Sequence, residues 1–222
     1  MSTLTPSLSA LVLLAAAFPT QLVRVATMAG SGMSPATRRR VEQWGLPALA
    51  VVVAVLAWVV VAPLPPDDIV SDRPYWIGIA VVVGIVAPLW EIGIGYGRAL
   101  LMRRSVTRVA LHDRAPWPGI GAVLSVSVVA LAEETVFRWL GTELLTGPLA
   151  WPLWTAVVVT SVVYGLNHLY YGWFTVAQKT VTGAAYAGLY LVAGHAVVMA
   201  AVAHLVHNLV VLLVVPRWGG RA

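Results

Sequence analysis

The sequence contains no cysteine, which excludes disulfides, iron–sulfur ligation and thiol catalysis. It is also poor in charge. Only 10% of its 222 residues are Asp, Glu, Lys or Arg, against about 25% in an average soluble domain. Hydrophobic residues make up 59% instead. Apolar runs of roughly 20 residues, the length a helix needs to cross a bilayer, recur along the chain, and they lack the alternation of barrel strands. Backbone groups in lipid must then be satisfied within their own segment. The expected fold is an all-α polytopic transmembrane helix bundle.

Two further absences bear on organisation. Residues 1–7 hold no Lys or Arg, so the first apolar run lacks the basic n-region of a secretory signal peptide and is expected to stay as an anchor. No repeat and no low-complexity linker interrupts the chain. About seven spans are predicted, near 8–28, 46–64, 75–97, 118–143, 151–168, 173–192 and 196–215. Basic residues are unevenly shared between the connections. Arg38, Arg39, Arg40, Arg98, Arg103, Arg104, Arg108, Arg114, Arg217 and Arg221 fall on one side, and only Arg73 on the other, beside Asp67, Asp68 and Asp72. By the positive-inside rule the N-terminus is outside and the C-terminus cytoplasmic, consistent with a multi-pass protein of the plasma (cell) membrane. The net charge of +5 reports this topology and a lipid-bilayer partner. It gives no sign of nucleic acid, because no basic surface alternates with exposed aromatics. Oligomeric state is not legible.

The polar content changes along the chain. Residues 1–115 carry little that is ionisable within spans except Arg24 and Glu91, whereas 116–216 carry Glu133, Glu134, Arg138, His168, Lys179, His204, His207 and Asn208. The expected division is N-terminal scaffold helices (1–115), a catalytic helix bundle (116–216) and a short cytoplasmic tail (217–222). Gly93, Gly95 and Gly97 resemble part of a dinucleotide loop, but no strand precedes them, and close helix packing is expected there. Gly183, Ala184, Ala187 and Gly188 form a second small-residue face. Trp44, Trp76, Trp117, Trp151, Trp173 and Trp218 sit near span ends, as an interfacial belt requires. Lys179 lies near enough to a helix end to snorkel.

Ionisable groups in a bilayer cost roughly 2.5–3.5 kcal/mol each, so a group of them requires a reason. Glu134 and Arg138 are four apart with the acid first, the favourable order for a helical ion pair. Glu133 points about 100° away and keeps its carboxylate for general-base work. Tyr164 and His168 are one turn apart at the end of the fifth span. His204 and Asn208 share a face of the seventh. By depth, His168 lies near the cytoplasmic surface, and Glu133, His204 and Asn208 can meet it in a cavity in that half of the membrane.

Glu-Glu-x-x-x-Arg, aromatic-x-x-x-His and His-x-x-x-Asn, in this order on successive C-terminal helices, resemble the CPBP (Abi) family of CAAX-type prenyl-protein endopeptidases and bacteriocin-processing relatives. The likeness spans roughly residues 115–216. It implies a glutamic-type intramembrane endopeptidase that needs no metal or other cofactor and acts on a peptide or protein substrate at the membrane. Glu133 and His168 would activate water, His204 and Asn208 would stabilise the oxyanion, and Glu134, Arg138 and Tyr164 would support the site. Tyr164 stands where the family usually has Phe, and His207 and Glu91 have no matching role. Three other readings use the same residues. A zinc enzyme could employ Glu133 or Glu134 with His168 and His204, although no His-Glu-x-x-His stretch is present. A non-catalytic scaffold or immunity-type protein would keep the fold alone. A proton-coupled transporter would call for inverted repeats or broken helices, and neither is visible.

Overall fold

The computed structural model describes residues 22, 23, 25, 32–61, 73–103 and 119–214. Among these residues there is no strand. Helix α1 spans Pro35–Val61, α2 Tyr75–Leu101, α3 Ile120–Glu134, α4 Gly141–Thr146, α5 Leu153–Leu166, α6 Trp173–Val192 and α7 Val197–Leu209. The all-α membrane bundle is as expected. Six of the seven predicted spans coincide with described helices, and the first, near 8–28, lies outside the described residues except for 22, 23 and 25.

Three described helical rods, Tyr75–Leu101, Ile120–Thr146 and Val197–Val214, are long and apolar enough to cross a membrane. Helix α5 is shorter: its 14 residues reach about 21 Å at 1.5 Å per residue. It starts after Pro152 and stops at Leu166, so residues near 151 and 168 lie outside the helix proper. The surface has the polarity of a membrane protein. Val59, Val82, Val158 and Val181 are exposed, while Glu133, Glu134, Arg138, His204 and His207 are buried. Apolar side chains on the outside lose nothing in lipid, and the polar ones inside can satisfy one another.

Two apolar clusters hold the bundle. Tyr186, Leu189 and Tyr190 of α6 pack with Met199, Ala200 and Ala203 of α7 and Ala80 of α2. Val53 and Ala57 of α1 meet Val136, Phe137 and Leu140 beyond α3, and Tyr164 of α5. Helices α2 and α7 touch at Gly84, where an added Cβ would collide with the Ala203 carbonyl and stand 2.7 Å from Val206 Cβ. Close approach is therefore carried by Gly84. A Cβ at Gly93, Gly95 or Gly97 would meet nothing within 4 Å, which overturns the packing role expected of them. The α6 face is half as expected: Gly183 and Ala187 are buried, but Ala184 is exposed and Gly188 has open space.

Between α3 and α4 the rod widens into a π-helical segment, Thr135–Leu140, in which the Gly141 N–H bonds to the Val136 carbonyl, five residues back. A second π segment, Val210–Val214, follows α7. Such widenings recur near functional sites. Both lie directly after the helices that carry the acids and histidines.

Candidate active site

Glu133 and Glu134 end α3, and consecutive helix positions send them in different directions. Glu134 is fully buried and turns to Arg138, whose Nε lies 2.9 Å from Oε2. The guanidinium is itself fully buried, over the Tyr164 ring at 5.0 Å. The expected ion pair forms, one turn along the widened helix. The other oxygen of Glu134 takes a hydrogen bond from His204 Nδ1 at 2.8 Å. A carboxylate can only accept, so His204 carries its proton on Nδ1 and presents Nε2 on the other edge of the ring.

Glu133 has no cation of its own. Asn167 Nδ2 donates to its Oε1 at 2.6 Å, and His204 Nε2 stands 3.8 Å from Oε2. Glu133 and Asn167 also help to line a narrow apolar cleft with Ala50, Val53, Ala132, Val136 and Phe137. One oxygen is thus fixed by an amide, while the other lies nearest His204.

The remaining predicted residues divide. Tyr164 is buried at the centre, its ring edge-on to His204 at 5.8 Å and tilted against His168 at 5.2 Å. His168 follows the end of α5, with Nδ1 at 3.1 Å from the Tyr164 carbonyl. That carbonyl can only accept, so Nδ1 donates and Nε2 keeps its lone pair. Asn208 lies one turn beyond His204, and its amide donates to the Val126 carbonyl of α3 at 3.4 Å. Val126 is two turns before Glu133, about 10 Å along the helix. The geometry therefore joins Glu133, Glu134, Arg138 and His204 directly, attaches His168 through Tyr164, and sets Asn208 at the margin.

Asn167 was not singled out by the sequence. A neutral amide beside a motif histidine carries no charge penalty to attract notice, and its partner is 34 positions away. Lys179 was expected to snorkel; it turns inward to Glu91, with Nζ to Oε2 at 2.8 Å. Among the described residues no three His, Asp or Glu side chains are grouped so that they could hold a metal ion, and this includes the zinc set considered above.

The fold and this cluster define a class: a helical membrane protein with two adjacent buried acids, one neutralised by arginine and one without a cation, beside a cleft. Residues 115–210 match the family model described as Type II CAAX prenyl endopeptidase Rce1-like. Over that segment the match agrees with the CPBP resemblance of its three motifs, a likeness to membrane proteases and to proteins that keep their fold. No curated protein and no solved structure matches it.

Proposed function

We propose that the protein is a glutamic-type intramembrane endopeptidase of the plasma membrane, with its site in the cytoplasmic half of the bilayer. The observation that carries this reading is the asymmetry of the two carboxylates. Glu134 is neutralised by Arg138, whereas Glu133, which helps to line the cleft, has an amide on one oxygen and only the neutral His204 ring near the other. A carboxylate of that kind can accept a proton from water as the water attacks a carbonyl. His168, with Nδ1 committed to a backbone carbonyl, supports the same step through Nε2.

The tetrahedral intermediate needs donors placed where its negative charge develops. His204 serves through Nε2 once that nitrogen takes up the proton released by the attacking water, with Glu134 as counter-charge. The Asn208 amide serves as well, once it exchanges its long contact to the Val126 carbonyl for substrate. Glu134, Arg138 and Tyr164 hold this arrangement in shape. The lining beside Glu133 is apolar, and the substrate is a membrane-associated peptide or protein tail.

The test is cleavage of a peptide library by the purified protein in detergent, comparing wild type with Glu133→Gln and His168→Ala. Loss of a general base costs roughly 10²–10⁴-fold in rate, and that is the loss expected of both variants. Full cleavage by both would sink the mechanism. Tight binding of one partner without any cleavage by wild type would favour a scaffold role.

A further inference from the structure

A second buried polar group lies beside the first and takes no part in the chemistry above. Glu91 of α2 accepts from Lys179 Nζ on Oε2 at 2.8 Å and from Thr182 Oγ1 on Oε1 at 2.6 Å. Its backbone carbonyl accepts from Gln178 Nε2 at 2.7 Å. Lys179 Nζ also stands 3.1 Å from His207 Nε2, and His207 Nδ1 stands 2.9 Å from the Tyr186 hydroxyl. The direction of these bonds follows from valence. The Lys179 ammonium only donates, so His207 Nε2 accepts from it. His207 then holds its own proton on Nδ1 and donates to the Tyr186 oxygen.

Tyr186 is where the chain ends and the active site begins. Its ring lies stacked on His204, with centroids 5.4 Å apart and planes within 29°. This last link is a ring contact and not a hydrogen bond, so the series is no continuous proton path. What it can transmit is position. His204 is held at its edge by Glu134 and over one face by Tyr186, and the hydroxyl of Tyr186 is tied through His207 and Lys179 to α2. Tyr186, His207 and the Glu91–Lys179 pair are all largely buried, so the anchoring is not diluted by water.

We infer that Tyr186 is a positioning residue for His204, and that the Glu91–Lys179–His207 series fixes its plane; this rests on the peptidase reading for its kinetic consequence. An imidazole that must donate from Nε2 to a developing oxyanion tolerates little rotation. Misplacement of a reacting group by about 1 Å can cost 10²-fold in rate. The role belongs to the transition state, so it acts on kcat and leaves KM in place.

The experiment uses the full chain in detergent micelles and an internally quenched fluorescent peptide, drawn from the library, that wild type cleaves. Tyr186→Phe keeps the stacked ring but loses the anchor, and should lower kcat roughly tenfold with KM unchanged. His207→Leu should do the same. His207→Gln should recover most of the rate, because an amide can accept from Lys179 and donate to Tyr186. Residues acting as one series are non-additive, so the Tyr186→Phe/His207→Leu double variant should be no slower than either single. Unchanged kcat in the singles, a rise in KM alone, or a double variant equal to the product of both losses would each overturn the inference. If these variants fold poorly, Glu91→Gln/Lys179→Met removes the pair without leaving a buried charge, and unchanged kcat there overturns it too.

Glu133→Gln in the same assay separates the two claims. Should it cleave as fast as wild type, the peptidase reading fails. The position of His204 is then read by NMR from isotope-labelled histidine rings, which needs no turnover. Displacement of the His204 signals in Tyr186→Phe supports the inference, and a change confined to His207 refutes it.

Discussion

Two buried acid clusters share one stretch of α7, and they are built to opposite ends. Around Glu91 there is one carboxylate and one ammonium, with both carboxylate oxygens occupied by donors. Around Glu133 and Glu134 there are two carboxylates for one guanidinium. His207 belongs to the first cluster and His204 to the second, three positions apart on the same helix. On the proposed reading, the surplus carboxylate distinguishes a group that does chemistry from one that holds helices together, and the surplus residue is the one that lines a cleft. The lesson of that reading is that charge balance, more than residue types, separates the working half of a membrane cluster from its supporting half.

The strongest way to break this comparison is at Arg138. Without it Glu134 becomes an unpaired buried charge, as costly a state as a membrane bundle can hold. Arg138→Met should destabilise the protein by about 3–5 kcal/mol, read as a fall in the thermal midpoint in detergent. Glu134→Gln/Arg138→Met should regain much of that loss, since no charge is stranded. If the single variant is as stable as wild type, the division of labour between the two acids is wrong.

Next in size is Asn167, whose amide stands where a cation would otherwise be. A hydrogen bond to a charged group is worth about 1.5–3 kcal/mol. Asn167→Ala should therefore lower cleavage about ten- to a hundredfold, with less effect on stability than Arg138→Met. Equal cleavage by Asn167→Ala and wild type would mean that Glu133 is oriented by something else. The smallest effect sharpens the boundary between the clusters. A Cβ at Gly183 would stand 2.8 Å from Tyr164 Cδ1 and 3.5 Å from Arg138 Nη2. Gly183→Ala should cost roughly 1–3 kcal/mol through overpacking and slow cleavage through Tyr164. Alanine at Gly93, where there is open space, is the control and should change neither.

Much of this architecture could be read before any coordinates. Span lengths follow from bilayer thickness, so six predicted segments fell on helices. The Glu134–Arg138 pair follows from spacing on one helix, and the match over 115–210 agrees with motifs that are themselves local. What escaped was pairing between helices. Glu91 and Lys179 are 88 positions apart and Glu133 and Asn167 are 34, and nothing in a linear pattern brings such positions together. The glycines of α2 were misread for the same reason. Gly93, Gly95 and Gly97 cannot all share one face at 100° per residue. The true crossing with α7 lies more than two turns earlier, at Gly84.

The π segment after Glu134 also bears on how sequences of this kind are compared. A helix that widens for a few residues takes in one extra position without turning the faces beyond it. Glu133 lines the cleft while Phe137 and Leu140 still meet α1. Aligned to a template that is α-helical throughout, this chain would show a one-residue insertion between 135 and 140. Removing that insertion to tidy the alignment would slide every residue after it out of register with the acids it serves.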